Sequence, residues 1–76
     1  MEDWKERLVK ETLELNDRAI KLDRFIHTEE FHLIDASKQR LLEAQKAAMD
    51  LYLHVLVDRI MNEDIDLPFG IKIQDK

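Results

Sequence analysis

Glycine and proline each occur only once in this 76-residue chain, at Gly70 and Pro68, close to the C-terminus. A β-rich domain needs turn-forming residues at short intervals between its strands. The long stretch before Pro68 has neither of these residues. We therefore predict an all-α fold made of long helices.

The chain is short enough that its stability needs an explanation. A domain of this size buries only about 60% of its unfolded surface, and small domains usually depend on disulfides, a metal or a partner chain. The sequence has no cysteine, which excludes disulfides and thiolate metal sites and fits a reducing compartment. With 45% hydrophobic and 38% charged residues, amphipathic helices that assemble into a homo-oligomer are the expected solution.

Apolar residues at helical spacing predict a first helix from Asp3 to His27. Its stripe is wide, which is typical of a helix that packs on more than one neighbour. The stripe and its flanking residues are Trp4, Leu8, Leu15, Leu22 and Ile26, with Leu13 and Ile20.

A second helix is predicted from Ala36 to Asn62, after a short connector. Rows of leucine or methionine spaced by seven in both helices predict an antiparallel hairpin that packs like a coiled coil. These rows are Leu8, Leu15 and Leu22, and Leu42, Met49 and Leu56. The expected inner face of the second helix is Leu41, Leu42, Gln45, Ala48, Met49, Tyr52, Val55, Leu56, Arg59 and Ile60.

The connector carries its own signals. Thr28 before two glutamates is expected to cap a short helical turn, and Phe31 is expected to plug the corner. Asp35 and Ser37 compete as the N-cap of the second helix, and Asp35 is preferred. Residues 1–63 would then form one hairpin domain, and residues 64–76 an extended or partly disordered tail. In that tail, Leu67–Gly70 would form a turn or docking segment, and Ile71–Gln74 alternate as a short edge strand does.

Polar residues interrupt the expected apolar pattern. If the seam steps by three and four from Leu8, its intervening positions are Glu11, Arg18 and Phe25; the matching row in the second helix is Gln45, Tyr52 and Arg59. One interpretation is a polar layer that fixes register, with Glu11 against Arg18 or Gln45 against Tyr52. The other is that Arg18, Lys21 and Arg59 converge where several hairpins meet and bind an anion such as a phosphodiester. Trp4 or Tyr52 would then stack on a base.

Several function classes are disfavoured. A glycine-rich phosphate loop needs more than one glycine, and there is no cysteine nucleophile, so we predict neither an enzyme nor a bound cofactor. Glu29 and His32 have the spacing of half a di-iron site, but only one copy exists, so no metal site is expected. Asp50, His54 and Asp58 share one helical stripe and are expected to form a solvated face.

The net charge of −5 argues against binding to DNA or RNA polymers, although a small local basic pocket remains compatible with it. No apolar run approaches the roughly 20 residues of a membrane span, and the N-terminus does not resemble a signal peptide. A cytoplasmic protein that binds no membrane is the expectation.

The ordered combination of these motifs resembles the phage-encoded helical-hairpin domain of anti-CBASS sponge proteins, which also occurs in the first-described class of anti-Thoeris sponges. The similarity covers residues 4–60. Its first half is Trp4-x-x-Arg7-Leu8-x-x-Glu11-x-x-x-Leu15-x-x-Arg18-x-x-Lys21-Leu22-x-x-Phe25-Ile26. Its second half is Phe31-x-Leu33 followed by Leu41-Leu42-x-x-Gln45-x-x-x-Met49-x-x-Tyr52-x-x-Val55-Leu56-x-x-Arg59-Ile60.

This resemblance implies a homohexamer in the host bacterial cytoplasm. Such a protein binds cyclic dinucleotides, and often cyclic trinucleotides, without cleaving them, so that the effector of the defence system stays inactive. Trp4 matches the aromatic residue that stacks on bases, although the family more often has tyrosine there. Arg18 matches the basic residue that meets the phosphates, with Lys21 in competition, and Arg59 matches the residue for larger rings. Arg7 and Tyr52, within the same motifs, are further candidate ligand-binding residues.

Two alternative functions remain open at this point. The first is a structural or adaptor hairpin that joins other proteins and binds no small molecule. The second is a helical metalloprotein that uses Glu29 and His32. Replacement of Arg18 and Arg59 would leave an adaptor intact but would abolish ligand retention by a sponge.

Overall fold

The computed structural model describes residues 3–65, which form three α-helices and no strand. Helix α1 spans Asp3–Ile26, α2 spans Glu29–Leu33 and α3 spans Ala36–Asn62. The predicted all-α class is therefore confirmed, and α1 ends one residue before the predicted His27. The predicted turn and strand in the tail lie outside the described residues. Within the described part, no helix combines the length and apolar character needed to cross a membrane.

Helices α1 and α3 pack against each other as an antiparallel pair. The Tyr52 hydroxyl donates a hydrogen bond to the Glu11 carboxylate, and Lys46 Nζ lies 3.6 Å from Asp23 Oδ1. Sequence position therefore rises in α1 as it falls in α3. This arrangement is the predicted hairpin, with α2 as its short connector.

The apolar core lies at the open end of the hairpin, where α1 begins and α3 ends. Burial of each large aliphatic side chain there contributes about 1.5–3 kcal/mol to folding. The buried members are Leu8, Leu15, Leu53, Leu56, Val57 and Ile60, and Val9, Met49 and Ile65 pack against them.

The predicted seam of α1 was wrong at its intervening positions. Between Leu8 and Leu15 the buried residue is Thr12, and after Leu15 the buried residues are Asn16 and Ala19. Thr12 and Ala19, each four positions after a leucine, therefore take the places predicted for the residues three positions after it. The small side chains allow close approach of the two helices, and the Thr12 hydroxyl is satisfied by donating to the Leu8 carbonyl at 2.8 Å. The charged and aromatic residues predicted there, Glu11, Arg18 and Phe25, lie beside the contact rather than inside it.

The predicted inner face of α3 was partly wrong for a related reason. Leu56 and Ile60 are buried and Met49 packs on the core, as predicted, but Leu53 and Val57 are also buried. The helix carries apolar residues on two sides, so periodicity alone did not identify the side that faces α1. The predicted inner residues that lie exposed are Leu41, Gln45, Ala48, Tyr52, Val55 and Arg59.

The closed end of the hairpin is fixed by side-chain caps and one aromatic plug. Thr28 Oγ1 accepts from the Phe31 amide at 3.3 Å, and Asp35 Oδ1 accepts from the Lys38 amide at 2.8 Å. Both predicted caps are therefore confirmed. Phe31 is buried and meets Phe25 edge to face, with ring centroids 5.9 Å apart. The predicted plug of the corner is confirmed as well.

A polar contact between α1 and α3 stands just above this corner. Lys46 is largely buried, and its ammonium lies 2.8 Å from Asp50 Oδ2 and 3.6 Å from Asp23 Oδ1. Asp50 is half-buried, so it departs from the predicted solvated face. The exposed pair His54 and Asp58, with 3.3 Å between Nε2 and Oδ2, fits that prediction.

A residue with left-handed backbone lies just beyond the end of α3. Asp64 has a φ of 60°, and the amide of Ile65 then donates to the Ile60 carbonyl at 3.0 Å. Aspartate tolerates this conformation better than most residues other than glycine. The turn brings Ile65 back against the core at the open end.

Candidate ligand-binding flank

Two rows of residues spaced by seven run side by side along one flank of the hairpin. The hydrogen bond from Tyr52 to Glu11 joins the rows at their middle. Because both rows have the same spacing, Arg59 falls at the level of Trp4, and Gln45 at the level of Arg18. We call this surface the polar flank, and its members are Trp4, Glu11 and Arg18 of α1 and Gln45, Tyr52 and Arg59 of α3.

Tyr52 occupies the centre of the polar flank. The hydrogen bond to the Glu11 carboxylate raises the pKa of the Tyr52 phenol above its ordinary value, with smaller contributions in the same direction from burial and from the charge of Glu11. The positive charge of Arg59 acts in the opposite direction and lowers that pKa. Arg59 is therefore close enough to influence the phenol, whose ring remains exposed.

The candidate cations differ in what they already contact. Arg7 pairs with Asp3 at 3.6 Å and Lys21 pairs with Asp17 at 3.0 Å, each one turn away on α1. Arg18 and Arg59 are exposed and form no ion pair within residues 3–65. Exposed pairs of this kind are weak, about 0–1 kcal/mol, so Arg7 and Lys21 could still exchange partners.

Trp4 lies at the open end of the polar flank with its indole partly exposed. The ammonium of Lys5 lies 5.6 Å from the ring centroid, within the range of a cation–π contact. An indole ring that is partly exposed offers surface on which a nucleobase can stack. The stacking role of Trp4 stays a prediction.

A single chain does not bring all the candidate residues together. Fourteen residues separate Trp4 from Arg18, which is about 21 Å along a helix axis. By helical position Arg7 and Lys21 lie farther from α3 than the polar flank does. Of the six candidates, the polar flank therefore gathers Trp4, Arg18, Tyr52 and Arg59 on one side of the hairpin, spread over four helical turns.

The charge of the polar flank differs in sign from that of the whole chain. It holds two guanidinium groups and one carboxylate, whereas the chain as a whole carries −5. The carboxylate of Glu11 is already engaged as the acceptor of the Tyr52 hydroxyl. A local surface of this kind suits an anion with aromatic groups better than a long polyanion.

The pairing of Glu11 with Tyr52 was missed in the sequence, where Glu11 was set against Arg18 and Gln45 against Tyr52. In the structure, Gln45 instead places its amide nitrogen 3.9 Å from Met49 Sδ. Matching the two seven-residue rows in antiparallel order would have predicted the observed pair. Glu29 and His32 are not joined by further ligands, since residues 3–65 contain no group of three or more His, Cys, Asp or Glu placed to hold a metal.

Comparison with known proteins gives one family. No curated protein and no solved structure matches the chain. The model of the Sequestin family matches residues 2–62, which includes all of α1, α2 and α3 and every residue of the polar flank. This match covers most of the chain, and the chain therefore belongs to the Sequestin family, the sponges for cyclic nucleotides that act against CBASS and Thoeris defence.

Proposed function

We propose that this protein is a phage anti-defence sponge that binds cyclic dinucleotides and cyclic trinucleotides in the host bacterial cytoplasm and does not cleave them. By lowering the concentration of the messenger it would keep the CBASS effector inactive. The family match over residues 2–62 is the observation that carries this proposal, because members of the family are binding proteins rather than enzymes.

The polar flank supplies groups suited to such a ligand. Arg18 and Arg59 have guanidinium groups available for phosphodiester oxygens, which they can hold through two parallel hydrogen bonds. The rings of Trp4 and Tyr52 are partly exposed and can stack on bases. Arg7 and Lys21 stand beside the flank as further cations for the phosphates.

The spread of these groups along one chain supports a binding site shared between chains. Trp4 and Arg18 of the same α1 are separated by about 21 Å along the helix axis, which favours a ligand that contacts these two residues from different chains. Several copies side by side would bring the ring of one chain near the guanidinium of another. The proposed sponge is therefore a homo-oligomer, and the resemblance described above implies a hexamer.

A capture-and-release assay tests the proposal. The purified protein is incubated with a panel of cyclic dinucleotides, cyclic trinucleotides and cyclic ADP-ribose isomers, unbound ligand is filtered away, and the protein is heat-denatured. Chromatography then identifies what is released. We expect an intact cyclic nucleotide; release of a linear product would show an enzyme, and no retention across the panel would favour an adaptor.

Three substitutions assign the binding to the polar flank. Arg18→Gln and Arg59→Gln remove the two cations that form no ion pair in the described residues, and each should weaken retention at least about tenfold, the loss of roughly one charged hydrogen bond. Arg24→Gln is the matched control, because Arg24 is an exposed arginine of α1 outside the flank. Equal loss in all three variants would indicate a non-specific effect of charge.

Glu11→Gln should change the affinity for the ligand in the opposite direction from the two arginine variants. It removes the one carboxylate of the polar flank while keeping a side chain that can accept from Tyr52. If the ligand is anionic and binds here, its affinity should rise. Trp4 is the only tryptophan, so its fluorescence reports the same titrations directly.

A further inference from the structure

The side of α3 that faces away from α1 carries a second apolar row. We call it the outer seam, and its members are Leu41, Ala44, Ala48, Leu51 and Val55. Leu41 and Leu51 are each 67% exposed, and Val55 is 45% exposed. Scattered exposed leucines are ordinary, but a continuous row along four turns of a helix marks a contact surface.

The spacing of the outer seam is that of a helix that pairs with another helix. The steps are three, four, three and four, which are the a and d positions of a heptad. None of the five positions carries a charge, so another helix could cover the row without removing an ion from water. The two alanines would allow the helix axes to approach closely.

The order of residues in the outer seam points to a second copy of this chain as the partner. Read in either direction, its first four positions are Leu, Ala, Ala, Leu with steps of three, four and three, symmetric about position 46. Two antiparallel copies related by a two-fold axis at that position would place Leu41 opposite the partner's Leu51. Ala44 would meet the partner's Ala48. Leucine would then pack on leucine and alanine on alanine in successive layers of the interface.

We propose that the outer seam is a two-fold interface at which α3 pairs antiparallel with α3 of a second copy, in the register that sets Ala44 beside the partner's Ala48. The pairing requires no ligand. The outer seam lies next to the polar flank on α3, because Gln45 and Tyr52 directly follow the seam positions Ala44 and Leu51. The second copy would therefore border the flank on which the proposed ligand binds.

The first test is the mass of Leu51→Glu in solution without ligand. A two-fold interface contains this change twice, so we expect the dissociation constant of the pair to rise at least about 100-fold and the mass to fall. Helix content should be retained, since Leu51 is exposed within one chain. Leu33→Glu is the matched control, because Leu33 is 83% exposed but lies on α2, away from the seam. An unchanged mass for Leu51→Glu would overturn the proposal.

Cross-linking tests the register, since the natural chain has no cysteine to interfere. Ala44→Cys with an affinity tag is mixed with untagged Ala48→Cys under mild oxidation. We expect tagged–untagged dimers to exceed Ala44→Cys homodimers about tenfold. Dominant homodimers would indicate a different register and overturn the proposal. A monomeric wild-type protein would overturn it as well.

These measurements separate two failures. Loss of pairing in the absence of ligand bears only on the outer seam. A paired protein that retains no nucleotide would keep the interface and refute the proposed sponge.

Discussion

The open and closed ends of the hairpin hold α1 and α3 together in different ways. At the open end, Leu8, Leu53, Leu56 and Ile60 make an apolar contact among residues with little or no exposure. Above the closed end the contact is ionic, with Lys46 between two half-exposed aspartates, and the large side chain that is deeply buried there is Phe31. Apolar burial is strong but indifferent to register, whereas an ion pair is weak and specific in position.

This difference suggests a division of roles. The open end supplies most of the free energy of folding, and the Lys46 contact together with the caps fixes which residues face each other. Four substitutions or titrations test that division.

The largest effect is expected from Leu53→Ala at the open end. Leu53 has no exposed surface, and removal of such a side chain costs about 2–5 kcal/mol of unfolding free energy. Urea denaturation followed by circular dichroism measures it, and Leu33→Ala, at an exposed position, should cost less than about 0.5 kcal/mol. A similar cost for both changes would contradict the placement of the core.

Lys46→Ala should have a smaller effect, about 1.5–3 kcal/mol, because it removes a charged hydrogen bond to Asp50. The same denaturation curves should show that Lys46→Met recovers part of this loss, since methionine keeps the packing of the aliphatic stem. If Lys46→Met proved as costly as Lys46→Ala, the charge alone would account for the contribution. A cost near that of Leu53→Ala would mean that the closed end contributes equally.

Asp35→Ala should cost about 1 kcal/mol by removing the N-cap of α3. Asp35→Asn keeps an oxygen that can accept from the Lys38 amide, and it should be nearly neutral. Thermal unfolding compares the two variants. Equal destabilisation would show that the charge of Asp35, rather than its cap, matters.

The smallest effect concerns the pKa of Tyr52, the only tyrosine, which ultraviolet absorbance follows without overlap from another phenol. Its pKa should lie above the ordinary value, because the protonated phenol donates a hydrogen bond to the Glu11 carboxylate. Glu11→Gln should lower that pKa and Arg59→Gln should raise it further.

The raised pKa of Tyr52 also determines how the stability of the fold changes with pH. A raised pKa in the folded state means that this hydrogen bond stabilises the fold fully below the ordinary pKa of tyrosine. The contribution is lost as the pH rises through the raised value. If Arg59→Gln left the pKa unchanged, Arg59 would not lie near Tyr52.

The local elements of this fold were predictable because their signals are short-range. Thr28 and Asp35 identified the starts of α2 and α3, and the absence of glycine and proline before residue 68 identified the helical class. The side of each helix that faces the other was less predictable. Thr12 and Glu11 both fit a heptad step after Leu8, and α3 is apolar on two sides. Only the packing of α1 against α3 shows which residue and which side are buried.

The polar flank shows the same limit. Its residues were identified by type and spacing, and Arg18, Tyr52 and Arg59 do lie on one surface. Their arrangement around a ligand depends on neighbouring chains, which neither the periodicity of one chain nor one folded hairpin specifies. Ligand contacts of the six candidate residues therefore stay predictions.

The capped corner has a kinetic consequence. Phe25 and Phe31 are only six residues apart, and their contact closes a very small loop, whereas Leu8 and Ile60 come from opposite ends of the described chain. Contacts that close small loops lose the least entropy and form soonest, so we expect folding to start at the corner and proceed toward the termini. Helical proteins with such local contacts fold in microseconds to milliseconds. Folding on this timescale would align the two rows of the polar flank as soon as the corner has closed.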